Sequence, residues 1–163
     1  GLQMMGKSLE DPHAQESSNE ISNYLKKGMN LLPITTTFGG IKHTLQREEK
    51  VSWPDAQTVK GFEMHYGESD LINEKNLEII SLFENNSLGW VLEKKDKSFI
   101  GGTYLHGIFE NDSWRGQWIN KIRQKKGLNN QCNYEMNSIE RREKLLNLLT
   151  DEFEKNINMD KLI

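Results

Sequence analysis

Between Thr58 and Gly67 the chain reads TVKGFEMHYG, and side chains of opposite character alternate there with a period of two. Val59, Gly61, Glu63 and His65 fall on one face and Phe62, Met64 and Tyr66 on the other, which predicts a β-strand that breaks at Gly67. Phe62, Met64 and Tyr66 are expected to face a core. Met29–Gly40, rich in β-branched residues and closed by Gly39-Gly40, reads as another strand, and Lys42–Trp53, with weaker alternation, as its neighbour. Trp90–Leu92 and Phe99–Leu105 read as a hairpin across the charged turn EKKDKS. The period then lengthens. Trp114, Trp118, Ile119 and Ile122 recur at helical spacing after Asp112, the expected N-cap, and Gly127 opens the following loop. A last helix is predicted from about Ser138, with Leu145, Leu146, Leu149 and Phe153 as its apolar stripe. Ser138 as its cap would find Arg141 where a capping box wants an acid. At the amino end Leu2, Met5 and Leu9 share a helical face, and Asp11-Pro12 should end that helix, because the residue before proline avoids the helical region. His13–Gly28 is polar and reads as a surface loop. Strands and helices are thus mixed, with a hairpin-rich middle, which suggests an α/β domain carrying an antiparallel insert.

Composition narrows the class. The 163 residues suit one domain, 1–163, with an ordinary core. Lys and Arg number 21 against 24 Asp and Glu, for a net charge of −3, so no basic stripe for nucleic acid is expected. No apolar run is long enough to span a membrane, and the first residues lack a signal peptide's basic-then-apolar pattern. Cys132 is the only cysteine, which excludes an internal disulfide and suits a cytoplasmic protein. The chain opens on GLQMMG in mid-pattern, which suggests the C-terminal piece of something longer.

Candidate chemistry is sparse. The histidines, His13, His43, His65 and His106, have no metal-ligand spacing, and Cys132 lies alone among asparagines, so no metal site is expected. No glycine-rich phosphate-binding motif is present. His106 ends a predicted strand just before a glycine, where open α/β sheets place reacting groups, and imidazole titrates near neutrality. On spacing alone, a buried histidine bonded to backbone is the simpler reading. A base also needs a nucleophile, and Cys132 has neither a helix N-terminus nor a cation beside it.

Three segments, GLQMMGKSLEDP, VKGFEMHYGES and GGTYLHGIFENDSWR, occur in that order ahead of RREKLLNLL and NMDKL. Together they resemble the class I glutamine amidotransferase domains of the cobyric acid synthase type, over almost the whole chain. The family's nucleophile elbow is similar to C-G-G-x-Q-M-x-G, and Gly1, Leu2, Gln3, Met4, Met5 and Gly6 match its last six positions. The resemblance places the cysteine two residues before Gly1, so the chain is expected to begin just after its nucleophile and to be inactive alone. It implies an α/β, flavodoxin-like three-layer sandwich with an antiparallel hairpin region and its N-terminal strands missing. It makes His106 the catalytic base and Gln3 the residue beside the substrate glutamine, with Glu63 and His65 as possible supports. Most class I amidotransferases carry H-x-E, but the residue two after His106 is Ile108, which leaves the orienting group unassigned. Glu110 and Asp112 could polarise the site.

The implied function is ammonia supply from glutamine to carboxylates of a corrinoid, adenosylcobyrinic acid a,c-diamide, in cobalamin biosynthesis. No cofactor is implied in this domain; ATP and Mg belong to an upstream synthetase domain, through which the corrinoid is reached. No nucleic-acid or membrane partner is expected. The rival readings are a noncatalytic amidotransferase-like interaction module, or a related amidotransferase acting on cobyrinic acid or a cell-wall lipid precursor.

Overall fold

Pairing between distant segments, rather than local periodicity, decides the first sheet. A computed structural model describes residues 1–14, 24–39, 42–74, 77–84, 87–96, 98–131 and 137–157. The expected helix at the amino end is a single 3₁₀ turn, Leu2–Met5, and Leu9 lies instead in strand β1 (Ser8–Asp11). Gly6 is extended and closes the turn by donating to the Gln3 carbonyl, and the Lys7 N–H then bonds the Ile34 carbonyl at 2.8 Å. That contact draws the chain alongside β3 (Ile34–Thr37), parallel to it. Strand β2 (Tyr24–Lys27), within the predicted loop, pairs antiparallel with β1. With β6 (Glu68–Leu71) the order is β2-β1-β3-β6.

The expected hairpin across EKKDKS forms, but the segment Lys42–Trp53 is not the neighbour of Met29–Gly40: it pairs in another sheet with the strand that follows it. Strands β4 (His43–Val51) and β5 (Gln57–His65) pair antiparallel over nine residues. Strands β7 (Glu78–Ser81), β8 (Gly89–Glu93) and β9 (Phe99–Thr103) form an antiparallel sheet in that order. The expected strand Phe99–Leu105 breaks at Tyr104, and β10 (Leu105–His106) joins β5 at the edge of the other sheet. The chain is mixed α/β, as a class I amidotransferase-like domain requires. The core gathers Leu32, Ile34, Val51, Val59, Phe83, Leu88, Trp90 and Val91, with Leu105, Ile108 and Trp114.

The alternation of β5 holds, but the core lies on the other side of it. Val59 is fully buried and Glu63 nearly so, whereas Phe62 and Met64 are 42% and 43% exposed, and Tyr66 also faces solvent. Phe62, Met64 and Tyr66 are therefore not core. The strand faces are set by Val59, and a carboxylate shares that face because Arg47 and His65 take up its charge.

In helix α1 (Asp112–Lys125) the N-cap position belongs to Asn111 rather than Asp112, and the Asn111 side chain makes no capping bond to the helix. The Asn111 amide exchanges two 2.8 Å hydrogen bonds with the Lys60 backbone, which pins the helix start to β5. The Trp114 indole N–H donates to the Trp53 carbonyl at 3.0 Å, and Gly127 ends the helix at φ 68. Asp112 instead accepts from the Ser138 N–H at 2.8 Å and from Arg115, joining α1 to α2 (Ser138–Asn156). The cap of α2 is Asn137, one residue before the expected Ser138. It accepts from the Glu140 N–H, and this register places an acid at the third helical position. The stripe Leu145, Leu146, Leu149 and Phe153 is exposed, and no residue of α2 is buried. Cys132 lies outside the described residues.

These burial states separate two substitutions. Phe83→Ala is expected to cost about 3–5 kcal/mol and Leu149→Ala no more than about 0.5 kcal/mol, read by urea denaturation. Comparable losses would show that the α2 stripe is packed in solution.

Candidate active site

The turn carrying His106 is built by two glycines. Gly107 takes the left-handed region at φ 79, where a side chain would be strained. Gly61, across from it, lies so close to the His106 carbonyl that any Cβ would collide with it. Without that close approach β10 could not pair with β5, where Leu105 faces Glu63 and His106 faces Phe62. Ile108 is buried and anchors the far side of the turn, while the Glu110 N–H bonds the Gly107 carbonyl at 2.9 Å. The His106 ring is exposed and stacks on Phe62, with centroids 4.9 Å apart and planes 9° from parallel. Among the described residues no carboxylate pairs with it.

The opposite face of β5 carries a charged cluster. The Glu63 carboxylate accepts from Arg47 Nε at 2.8 Å, lies 2.6 Å from Arg47 Nη2, and meets His65 Nε2 at 2.7 Å. Burial pushes the Glu63 carboxyl up, but the hydrogen bonds and charges of His65 and Arg47 outweigh burial and hold it below its ordinary value. His65 Nδ1 lies 2.9 Å from the Gly67 carbonyl, and the ring stacks on Tyr104 at 3.6 Å and on His43 at 5.0 Å. The Tyr104 hydroxyl meets Ser69 Oγ at 2.5 Å, and Ser69 in turn meets Thr36 Oγ1 at 2.6 Å. Burial raises the Tyr104 phenol above its usual range despite its hydrogen bond to Ser69.

Gln3 reaches this cluster from the amino end. Its Nε2 donates to the Tyr66 carbonyl at 2.6 Å. Glu63 and His65 therefore share one cluster with Tyr104, and Gln3 joins its border through the carbonyl of Tyr66, next to His65. His106 stands apart from it, on the other face of β5. The Leu2–Met5 turn is nevertheless seated on the strand that leads to His106: a Cβ at Gly102 would run into Leu2 and Met5. Glu110 stays at the His106 turn, whereas the Asp112 carboxylate is committed to Ser138 and Arg115.

Arg47, Ser69, Thr36 and Tyr104 were not expected at the site. Tyr104, two residues before His106 in TYLHG, was open to the same alternation argument. Arg47 had no local signal, since only the register of β4 on β5 brings it diagonally to Glu63. Among the described residues no group of His, Cys, Asp and Glu is arranged to hold a metal ion, and no helix is long and apolar enough to cross a membrane.

The depressed Glu63 value has a signed consequence. The ionised carboxylate adds stability above its unfolded-state value of about 4.3 and loses it as the pH falls through the lower folded-state value. Glu63→Gln is expected to lower the melting temperature at about pH 7, by a margin that shrinks below about pH 4 as the wild-type carboxylate is protonated. A margin constant across that range would mean that the charge of Glu63 contributes nothing.

Comparison with known proteins places this chain in a family. The profile of the CobB/CobQ-like glutamine amidotransferase domain matches residues 1–114. A cobyric acid synthase of Prochlorococcus marinus strain NATL2A is 75% identical over 163 residues, covering 100% of this chain and 32% of that protein. The cobyric acid synthase of strain NATL1A is 72% identical over the same length, covering 33% of that protein, and that of strain AS9601 is 42% identical over 164 residues. The chain spans about a third of the length of the curated relatives it matches. With the matching profile extending from the Gln3 turn through His106 to the start of α1, the chain belongs to the CobB/CobQ-like glutamine amidotransferase domain family.

Proposed function

We propose that this chain is the glutamine-hydrolysing domain of a cytoplasmic cobyric acid synthase and supplies ammonia for amidation of corrinoid carboxylates. The observation that carries the reading is the seating of the Leu2–Met5 turn on β9, four residues ahead of His106. A thiol just before Gly1 would enter from that turn, and the chain beneath it runs on from β9 through the bend at Tyr104 to the imidazole. The relatives named cobyric acid synthase, identical at up to 75% of positions, support the same assignment.

In this reading His106 removes the proton from a cysteine thiol preceding Gly1, and the thiolate attacks the side-chain amide carbon of glutamine. The carbon–nitrogen bond breaks as the imidazolium returns its proton to the leaving nitrogen, which departs as ammonia. Water, deprotonated by His106, then attacks the thioester carbon, and glutamate and the free thiol are released. Gln3 lies beside the bound glutamine, and the Glu63–His65 pair supports it from beneath. ATP and Mg act in the synthetase part of the complete protein, where adenosylcobyrinic acid a,c-diamide is the acceptor. A noncatalytic interaction module is the second reading, and the position of His106 across β5 from Gln3 is the observation that favours it.

In the complete protein, His106→Ala is expected to reduce glutamine-dependent amidation by about 10²–10⁴-fold, the span of a lost general base. Amidation from added ammonia should persist. Loss of both would make His106 structural, and loss of neither would favour the noncatalytic module. Residues 1–163 alone should release no ammonia from glutamine; release that survives His106→Ala would contradict the assignment.

A further inference from the structure

We propose that Phe62 is the positioning residue for His106: its ring, lying flat against the imidazole, holds the base in the orientation that catalysis needs. The inference rests on the amidotransferase reading and adds to it the device that orients the base.

A histidine side chain turns about two torsions, and a general base must present one nitrogen within hydrogen-bond reach of the proton it takes. The usual restraint is a third group bonded to the other nitrogen. No described carboxylate pairs with this ring. Ile108, two residues on, is buried in the core, and the Glu110 carboxyl group lies against Gly107.

What touches the imidazole is Phe62. The ring centroids are 4.9 Å apart and the planes 9° from parallel, an offset stack of the kind aromatic rings favour. The two residues are partners in the β10–β5 ladder, so the backbone delivers both rings to one face of the sheet. The main chain around the imidazole is fixed as well: the His106 carbonyl closes in on Gly61, and Gly107 turns the chain at φ 79.

Phe62 is held in turn by the opposite face of its strand. Glu63, the next residue, is buried against Arg47 and His65, which settles which way β5 faces. Phe62 then points outward, where it stays 42% exposed. An apolar ring left half in water gains little from burial, and its ring contact among the described residues is the imidazole. A stack restrains a base differently from a carboxylate. It covers the ring face and leaves both nitrogens, which lie on the ring edge, open to the thiol and to the leaving nitrogen. Phe62 makes no bond in the reaction. Its effect passes through His106, so it should govern turnover more than capture of glutamine. Leucine would keep an apolar side chain and lose the flat face; tyrosine would keep the face.

The test is glutamine hydrolysis and ammonia-dependent amidation by the complete protein, comparing wild type with Phe62→Leu, Phe62→Tyr and His106→Ala, together with a carbon–proton NMR spectrum of the histidine rings. Phe62→Leu is expected to lower kcat roughly tenfold, with KM for glutamine within about twofold of wild type. Phe62→Tyr should restore kcat. The His106 ring signals, identified by their loss in His106→Ala, should lose the ring-current shift of a stacked imidazole in Phe62→Leu and keep it in Phe62→Tyr. Ammonia-dependent amidation should persist in every variant. Equal impairment of Phe62→Leu and Phe62→Tyr, or loss of ammonia-dependent amidation in Phe62→Leu, would make Phe62 a packing residue and overturn the inference. If Phe62→Leu keeps the wild-type kcat while His106→Ala abolishes hydrolysis, the inference fails and the amidotransferase reading stands. If His106→Ala hydrolyses glutamine at the wild-type rate, the reading fails and takes the inference with it.

Discussion

The bend at Tyr104 is the constraint on which the arrangement depends. One run of chain, Phe99–His106, serves two sheets: β9 pairs with β8, and β10 pairs with β5. A continuous strand could not do both. The change of partner is made by a side chain and a main-chain bond: the Tyr104 N–H bonds the Leu88 carbonyl at 2.8 Å, and Thr103 Oγ1 accepts from the Leu105 N–H at 2.9 Å. Thr103 Oγ1 also donates to the Leu88 carbonyl at 2.9 Å, so the donors and acceptors freed by the bend are satisfied locally. Upstream of the bend, bare glycine at 102 accepts Leu2 and Met5; downstream, His106 is delivered to the edge of β5. Tyr104 stands between them.

The charged cluster beneath this bend is organised around Gly61. Arg47 sits directly across from Gly61 in the β4–β5 ladder, and Glu63 is its diagonal neighbour. With no side chain at 61, the His106 carbonyl and Leu105 can close in on the strand. A buried ion pair of this kind is poor evidence of net stabilisation, since desolvation offsets much of the attraction. Its value lies in geometry. Removing either partner would strand a charge, so the pair holds β4 and β5 in one register, and with them the orientation of His65 under Tyr104.

Much of this architecture was legible in the sequence, and the failures have definite causes. The alternation of β5, the hairpin across EKKDKS, Gly127 as a helix stop and the two carboxy-terminal helices all rest on local periodicity, and all are present. Phe62, Met64 and Tyr66 were assigned to the core because apolar side chains usually are. The rule fails where a distant arginine makes it possible to bury a carboxylate instead. The helical spacing of Leu2, Met5 and Leu9 was genuine, but Gly6 and the Ile34 carbonyl offered the backbone a strand partner. Asp112 and Ser138 each missed cap assignment by one residue, because an asparagine precedes both. Glu63 and His65 were legible as neighbours on a strand face; Tyr104, Ser69 and Thr36 became a unit only through pairing between sheets.

The exposed helix α2 illustrates how direction can be imposed without packing. With its apolar stripe exposed and no side chain buried, it receives little from tertiary contact, the usual source of helical stability. Its amino end is nevertheless fixed. Ser138 donates through its N–H to Asp112 and through its hydroxyl to the Glu110 carbonyl at 2.9 Å, while the Glu110 N–H is itself bonded to Gly107. The path from His106 to the first turn of α2 therefore consists of short backbone-anchored steps, each with few degrees of freedom. The first turn of α2 and the imidazole are thus tied to the same short stretch of chain, Gly107–Asp112.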